Sequence, residues 1–219
     1  MQLQLAPVFL VFDLDGTISD PAVGIGRSIN YALAHFAYPS IPDTAVSQYI
    51  GPPLDASFAS ITGQTSTAHL VELVAKYRER YTEVGYSENV LYPGIAQALE
   101  SIAAKNIPMG LCTSKRSDFA ERILKMFGLR HHFQFVSGGD IGIQKKQQLA
   151  ALRADQTIAN NAIMIGDRAV DIEAAKFSQL KSAGVLWGHG SHAELVAAGP
   201  ENLLSHPSEL PDLATSAQL

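Results

Sequence analysis

Val8-Phe9-Leu10-Val11-Phe12-Asp13-Leu14-Asp15-Gly16-Thr17 is the stretch on which the fold turns. Five apolar residues run without a break and then stop at a carboxylate, a second carboxylate two positions on, and a glycine. A short apolar run bounded by a turn suits a strand buried on both faces, as at the centre of a parallel sheet. Residues i and i+2 of extended chain face the same side, so Asp13 and Asp15 converge at the mouth of that strand. Side-by-side carboxylates repel unless a cation or proton intervenes. Asp-Gly is also a common turn dipeptide, and the segment alone leaves both readings open. An EF-hand loop, which also opens D-x-D, is excluded: its sixth and twelfth positions need Gly and Glu and here are Ile18 and Gly24.

Four later runs share this form. Residues 108–112 (PMGLC) end in Thr113-Ser114-Lys115, and 132–136 (HFQFV) end in Ser137-Gly138-Gly139-Asp140. Residues 162–165 (AIMI) end in Gly166-Asp167, and 182–186 (SAGVL) end in Trp187-Gly188. Helical patterns lie between them. Ile95, Leu99 and Ile102 share a face, as do Phe119, Ile123, Leu124 and Phe127, with Gly128 as a stop. Leu149 and Leu152 mark a third helix, 169–177 a fourth, and Ser191-His192-Ala193-Glu194 a capping box that opens a fifth. Strand and helix alternate, which predicts an α/β fold: a doubly wound, mostly parallel sheet with helices on both faces. In such sheets ligands bind at the carboxyl ends of the strands, where these polar residues fall.

Residues 19–91 break the rhythm and contain no convincing strand. A helix is expected over 22–37, with Ile25, Ile29, Leu33 and Phe36 on one face. Pro39-Ser40-Ile41-Pro42 interrupts it, Asp43 caps a second helix ending near Gly51-Pro52-Pro53, and Leu70, Val74, Tyr77, Tyr81 and Val84 stripe a long third. The expected organisation is a core of 1–18 and 92–219 with an all-helical insertion of 19–91. The end of the chain, after Pro211, is expected to fray.

The chain has 219 residues, enough to bury a core without disulfide or metal staples. Sixteen Lys and Arg against 21 Asp and Glu give a net charge of −5, which argues against nucleic acid as a partner but not against a small anion. A lone cysteine, Cys112, excludes an intrachain disulfide and a cysteine-built zinc site. No apolar run reaches bilayer length, so no membrane partner is expected. The opening MQLQLAPVFLVFDLDG lacks the basic start and cleavage site of a signal peptide, since its first positive residue is Arg27. A buried strand and a cytoplasmic location are the expectation.

Gly166-Asp167-Arg168-Ala169-Val170-Asp171 brings a second acidic pair to a strand end. Asp167 and Asp171, four apart, face one side of a helix turn; an N-cap with a first-turn acid is the bland alternative. With Asp13 and Asp15 they form an oxygen-rich cradle suited to Mg²⁺. Thr113 and Ser114, at a strand-to-helix turn, can hold phosphate oxygens or simply cap the helix. Lys145-Lys146 precedes another helix.

Together these segments resemble the haloacid dehalogenase-like (HAD) phosphatases over nearly the whole chain. The first family motif, DxDGT, stands as Asp13-Leu14-Asp15-Gly16-Thr17; the second, an apolar strand ending in Thr or Ser, as residues 109–113. The third, a lysine before a helix, falls on Lys145 or Lys146. Proline often follows it in the family but not here, and Lys145 is preferred because it sets Leu149 and Leu152 on one helix face. The fourth, GDxxxD, runs from Gly166-Asp167 to Asp171. Residues 19–91 take the place of the family's helical cap, and Tyr49-Ile50-Gly51-Pro52-Pro53-Leu54 with Tyr92-Pro93-Gly94 resembles the phosphoglycolate phosphatase-like branch.

The resemblance implies Asp13 as nucleophile and Asp15 as general acid and base. It implies Mg²⁺ on Asp13, the Asp15 backbone carbonyl, Asp167 and Asp171. Gly16, Thr17, Thr113, Ser114 and Lys145 would bind the substrate, a small phosphorylated metabolite with phosphoglycolate first and a nucleoside monophosphate or sugar phosphate next. A phosphomutase is a further possibility on the same core, and a non-catalytic binding protein would be expected to lack Asp13 or Asp15. The chain would act as a monomer or homodimer. Lys76, Arg78 and Arg80 read as a solvated face, the histidine pairs His131-His132 and His189/His192 as surface or turn residues, and Cys112 as core.

Overall fold

The computed structural model describes residues 8–139 and 142–216. Asp140 and the first residues of the opening stretch lie outside them. Strand β1 (Leu10–Phe12) is followed by a short strand β2 (Ser19–Asp20), helices α1 (Ala22–His35), α2 (Leu54–Thr62) and α3 (Thr67–Glu83), and a short strand β3 (Val90–Leu91). Helix and strand then alternate: α4 (Ile95–Ala104), β4 (Met109–Thr113), α5 (Ser117–Met126), β5 (Val136–Gly138), α6 (Lys145–Ala154) and β6 (Ile163–Gly166). The chain continues through α7 (Ala169–Phe177), β7 (Lys181–Val185), α8 (His192–Ala198), β8 (Asn202–Leu204) and α9 (Leu213–Ser216).

Six strands form one sheet in the order β5-β4-β1-β6-β7-β8, each neighbouring pair parallel. The chain fills one side of β1 with β4 and β5, then crosses to the other with β6, β7 and β8, so the strand order reverses at β1. The register pairs Phe12 with both Leu111 and Ile165, and Asp13 N donates to Ile165 O at 2.9 Å. The three central strands therefore end level, which brings Asp13, Thr113 and Asp167 to one rim.

The alternation of side chains sorts the core into two layers. Leu10 and Phe12 of β1, Met109 and Leu111 of β4, and Ile163 and Ile165 of β6 face α4 and α5. Val11, Cys112 and Met164 face the other way, with Leu149 of α6 and Ala174 and Ala175 of α7. The helical segment has its own apolar cluster: Ile25, Ile29, Ala32 and Leu33 of α1 pack with Leu73, Val74, Tyr77 and Tyr81 of α3, and Val46, Ile50 and Phe58 fill the gaps. Phe119 of α5 joins this cluster from the core. No helix among the described residues is long and apolar enough to cross a membrane.

Several elements differ from the sequence reading. Residues 19–91 do contain strands: β2 and β3 pair antiparallel, Ser19 with Leu91 and Asp20 with Val90, at the two chain crossings. Two residues are too few to display a period. The 132–136 run is not a strand; Arg130–His132 is a 3₁₀ turn and β5 starts at Val136. Phe133 and Phe135 mimic strand alternation because each plugs a gap ahead of the strand: Phe133 packs edge-on to Phe12 at 6.1 Å and Phe135 stacks on Phe9 at 5.8 Å. Strand β8 and helix α2 were not expected. Asp43 does not cap an α-helix; it is the first residue of a 3₁₀ helix, Asp43–Tyr49. Val84 lies past the end of α3 and is exposed. Past Pro211 the described chain does not fray but forms α9, with Leu210, Leu213 and Ala214 burying one face against the core; residues 217–219 lie outside the described residues.

Gly110 in β4 has no side chain where the ring of Phe135 lies; a Cβ there would overlap it. Gly110→Ala should cost about 1–3 kcal/mol, as overpacking usually does, and less when Phe135 is also cut to Ala. Urea denaturation of the four proteins measures the coupling. An equal cost in both backgrounds would show that the ring is not what the new methyl meets.

Candidate active site

Asp13 leaves the sheet at the end of β1 and is 3% exposed. Its Oδ2 lies 2.9 Å from Lys145 Nζ, while its Oδ1 is buried with no hydrogen-bond partner. Lys145 is the first residue of α6 and is itself 2% exposed. A buried ammonium must be paired, and a cation is disfavoured at a helix N-terminus. Both costs are met by acids: Lys145 also pairs with Asp171 Oδ1. Burial alone would lower the lysine's pKa, but Asp13 and Asp171 more than reverse this and hold it above the ordinary lysine range. Lys146 is exposed and lies over the Phe177 ring at 5.8 Å. Of the two lysines, Lys145 is the one that reaches Asp13.

Asp167 follows β6 and is fully buried. It is held by neutral donors: Thr17 Oγ1 donates to Oδ1 at 3.3 Å and His189 N to Oδ2 at 2.8 Å. Gly16, Gly188 and Gly190 press against Asp167, and Gly166 against Asp171; a Cβ at any of the four would overlap. One carboxylate oxygen from each of Asp13, Asp167 and Asp171 lies within 4.8 Å of the others. Burial, then the charges of Asp171 and Asp13, push Asp167 up to about 8. Burial likewise raises Asp171, against the pull of Lys145. Of the three buried carboxylates, two pair with the one ammonium, Asp167 has only neutral donors, and Asp13 Oδ1 has no donor. This cluster fits a hard cation such as Mg²⁺, which takes oxygen ligands and is commonly held by one or two carboxylates.

The Asp15 carboxylate stands apart from this cluster. Its Oδ2 is 2.8 Å from Lys115 Nζ, and Lys115 also donates to the Tyr81 hydroxyl of α3 at 2.7 Å. Burial raises the Asp15 pKa, and Lys115 opposes that rise. A cavity of about 90 Å³ covers Asp13 and Asp15. Thr113, Ser114 and Lys115 line its floor, and Tyr77, Arg78 and the Gly51-Pro52-Pro53 turn line the helical side.

Some residues sit otherwise than the sequence suggested. Gly16 and Thr17 do not line the cavity: Gly16 is pressed against Asp167, and Thr17 is fully buried with its hydroxyl on the same acid. Lys145 reaches the site through Asp13 rather than through the cavity wall. His189 is a turn residue, as expected, but half-buried: its ring lies 3.2 Å from Asp20 Oδ1 and 3.2 Å from Ser47 Oγ. Arg78 borders the cavity rather than a solvated face, while Lys76 and Arg80 pair with Glu79 and Glu88. Ser191 caps α8 by accepting from Glu194 N at 3.0 Å, but the Glu194 carboxylate goes to Arg168 and Ala169 N instead of closing the box. Cys112 is core as expected, its thiol pushed up to about 12, mainly by burial. The sequence reading missed the Lys115–Tyr81 contact and the hold of the Trp187-Gly188-His189-Gly190 turn on Asp167. Closely spaced glycines just past a strand end were the available signal for the latter.

Comparison with known proteins gives three results. A family model described as haloacid dehalogenase-like hydrolase matches residues 10–185. Two curated relatives are a 5'-nucleotidase of Pseudomonas aeruginosa, 34% identical over 87% of this chain and 88% of that protein, and a phosphoglycolate phosphatase of Vibrio parahaemolyticus, 31% identical over 92% and 93%. A solved structure described as a predicted phosphatase from Clostridium acetobutylicum superposes with a TM-score of 0.90 at 30% identity, covering 96% of this chain and 99% of that one.

The raised pKa of Asp167 makes stability depend on pH. Its folded value of about 8 lies above the ordinary 3.8. The stabilisation from its proton is therefore complete below about pH 4 and is lost as pH rises through about 8. Chelator-treated protein should melt at falling temperature between about pH 6 and 9. Mg²⁺ should raise the melting temperature, more at the upper end of that range, because it need not displace a proton there. Asp167→Asn should remove most of both effects in thermal melts. A variant that keeps the slope and the Mg²⁺ response would place them on other groups.

Proposed function

Because the chain belongs to the haloacid dehalogenase-like hydrolases, we propose that it hydrolyses a small phosphate monoester through an aspartyl-phosphate on Asp13, with 2-phosphoglycolate as the leading substrate. The observation that carries this reading is the division of labour at Asp13. One oxygen is fixed by Lys145, the other is buried without a hydrogen-bond partner, and the residue itself lines the cavity. Asp13 Oδ1 attacks phosphorus as the bond to the leaving oxygen breaks, and Asp15 gives that oxygen a proton. Asp15 then takes a proton from the water that attacks the phosphorus of the intermediate, which frees phosphate and restores Asp13. The upward pKa shift of Asp15 favours a group that carries a proton, and its Oδ1 has no partner. Lys145 offsets charge on Asp13 and the phosphoryl oxygens, and Thr113 and Ser114 hold those oxygens.

Mg²⁺ on Asp13, the Asp15 carbonyl and Asp167, with Asp171 behind, would neutralise the phosphoryl group. In a loose transition state such positioning and neutralisation are most of catalysis. In this reading residues 19–91 are a cap that opens over the core, hinged at the β2–β3 ribbon, and admits substrate while excluding water when shut.

The size and charge of the cavity support a small acid. About 90 Å³ is well below the roughly 300–1,000 Å³ of pockets that take drug-sized ligands. Lys115 and Arg78 border it, placing positive charge where a carboxylate on the leaving group would lie. A nucleoside monophosphate is the second reading. A separate cleft of about 420 Å³ on the far side of the Gly51-Pro52-Pro53 turn favours it, as does the likeness to the Pseudomonas 5'-nucleotidase.

Asp13→Asn should keep the fold and abolish turnover, since an amide cannot form the acyl phosphate. Asp15→Asn should lose about 10²–10⁴-fold in kcat and let a phosphorylated Asp13 accumulate with an activated ester, visible by intact mass spectrometry. An Asp13→Asn protein that keeps a sizeable fraction of wild-type kcat would remove the nucleophile assignment.

Released phosphate should be measured for 2-phosphoglycolate, AMP and a sugar phosphate, with Mg²⁺ and with chelator. The highest kcat/KM is expected for 2-phosphoglycolate, and none should turn over in chelator. A higher value for AMP would transfer the assignment to the second reading, and an isomerised product without free phosphate would make the protein a mutase.

A further inference from the structure

The Gly51-Pro52-Pro53 turn stands between two cavities. It borders the chamber of about 90 Å³ over Asp13 and Asp15 and also the cleft of about 420 Å³, whose floor includes Lys146, Arg168 and Glu173. Ser114 and Ile143 complete the shared border. The tip of the turn packs little, since Gly51 is half-buried and both prolines are exposed, while on its flanks Ile50 is buried in the helical cluster and Pro53 O accepts from Ser57 N at 3.0 Å.

A further anchor crosses from the core. Arg168, next to Asp167, extends Nη1 to Ile50 O at 2.6 Å and, more weakly, to Ser47 O at 3.4 Å. Its Nε donates to Glu194 Oε1 at 2.9 Å, and that oxygen also accepts from Ala169 N at 2.9 Å. The guanidinium is thus gripped at its base by the start of α8 and reaches forward to two carbonyls of the helical lobe, chiefly that of Ile50. A planar fork of donors can span a carboxylate and a carbonyl at once; a lysine ammonium cannot do so with the same geometry. The fit is close on the other side too. Gly51 adopts φ +102°, open to glycine, and a Cβ there would stand 3.3 Å from Arg168 Cγ. Pro52 and Pro53 each have a ring-fixed φ, so the turn is stiff.

We infer that Arg168 is a specificity-determining residue: by holding the Ile50 carbonyl it keeps the Gly51-Pro52-Pro53 turn as a partition that limits leaving groups to the small chamber, and its release joins chamber and cleft so that bulkier phosphate esters are accepted. Arg168 touches neither phosphorus nor the attacking oxygen, so its effect is on which ester is used. The kinetic side of the inference rests on the phosphatase reading, and the experiment has a second arm that does not.

In the first arm, kcat/KM is measured for 2-phosphoglycolate and AMP in the wild type, Arg168→Ala and Arg168→Lys. The ratio for AMP over 2-phosphoglycolate should rise about ten-fold or more in Arg168→Ala, the scale on which pocket fit discriminates substrates. Arg168→Lys should recover only a minor part of the change. In the second arm, amide exchange at Ile50, Gly51 and Leu54, the residues of the segment that carry an amide hydrogen, should quicken in Arg168→Ala while the melting temperature stays near the wild-type value. Arg168→Gln replaces Arg168→Ala if the latter does not fold. An equal fall for both esters, or faster exchange with an unchanged ratio, overturns the inference, as does unchanged exchange. Should the wild type turn over neither ester, the phosphatase reading fails separately. The same ratio is then read from the Kd of each ester by calorimetry, and an unchanged Kd ratio overturns the partition.

Discussion

One ammonium serves two buried carboxylates while a third stands beside them without a cation. Lys145 pairs with Asp13 and Asp171, and Asp167 has only a hydroxyl and a backbone amide. Two carboxylate oxygens at the 4.8 Å limit of this cluster repel by roughly 3–4 kcal/mol at an effective dielectric near 20. Removing one partner from a buried pair typically costs about 3–5 kcal/mol. Energies of that size are a large fraction of the stability of an ordinary domain, so this arrangement is not incidental to the fold. It has the form of a site that is incomplete without further positive charge. A proton on Asp167 supplies some of it, and a divalent cation would supply more while leaving all three acids ionised.

The sheet makes the crowding unavoidable. Strands β4, β1 and β6 are neighbours and end level, so the residues that leave them share one rim. Carboxylates cannot continue into the apolar layers on either face, and the strand ends are where they can be accommodated. Lys145 arrives from a different direction, at the start of the helix that carries the chain from β5 across to β6. Glycine does the remaining work of close approach: Gly16, Gly166, Gly188 and Gly190 remove the side chains that would otherwise fill the space taken by Asp167 and Asp171.

What could be read from the sequence follows from these same constraints. An apolar run that halts at a charged residue marks a strand end without any knowledge of its neighbours, and Asp13, Thr113 and Asp167 were legible for that reason. The choice of Lys145 over Lys146 was also within reach, because Leu149 and Leu152 stand four and seven residues on along one helix face, and Leu149 is fully buried. Strands β2 and β3 were not legible, being two residues long with no repeat to count. Phe133 and Phe135 imitated a strand by alternating, although each alternation serves a separate packing gap. The partners of Asp15, His189 and Arg168 escaped for a different reason. Lys115, Asp20, Ser47 and Ile50 come from segments far apart in the chain or across the two lobes, and no local pattern encodes which carbonyl or carboxylate will lie opposite.

The way the helical lobe meets the core follows from what lies at their boundary. The apolar clusters touch chiefly through Phe119, which crosses from α5 to pack against Tyr81 at 5.0 Å, and through Tyr86, which borders both. Polar, directional contacts add to these: Arg122 donates to Thr82 O at 3.2 Å away from the site, and three lie beside it, Lys115 with Tyr81, Arg168 with Ile50, and His189 with Ser47. A buried apolar interface loses stability in proportion to the area exposed, whereas a hydrogen bond can be exchanged for one to water at a net cost of about 0.5–1.5 kcal/mol, or about 1.5–3 when a charged group is involved. Three such bonds sum to a few kcal/mol, the range in which a second conformation is populated enough for a ligand to select. Each of the three starts from a core residue within two positions of one of Thr113, Asp167 or the turn that holds Asp167. These contacts therefore lie within one or two peptide units of the rim of the sheet, and under the proposed cap reading the polar boundary would let position over the site and order within it change together.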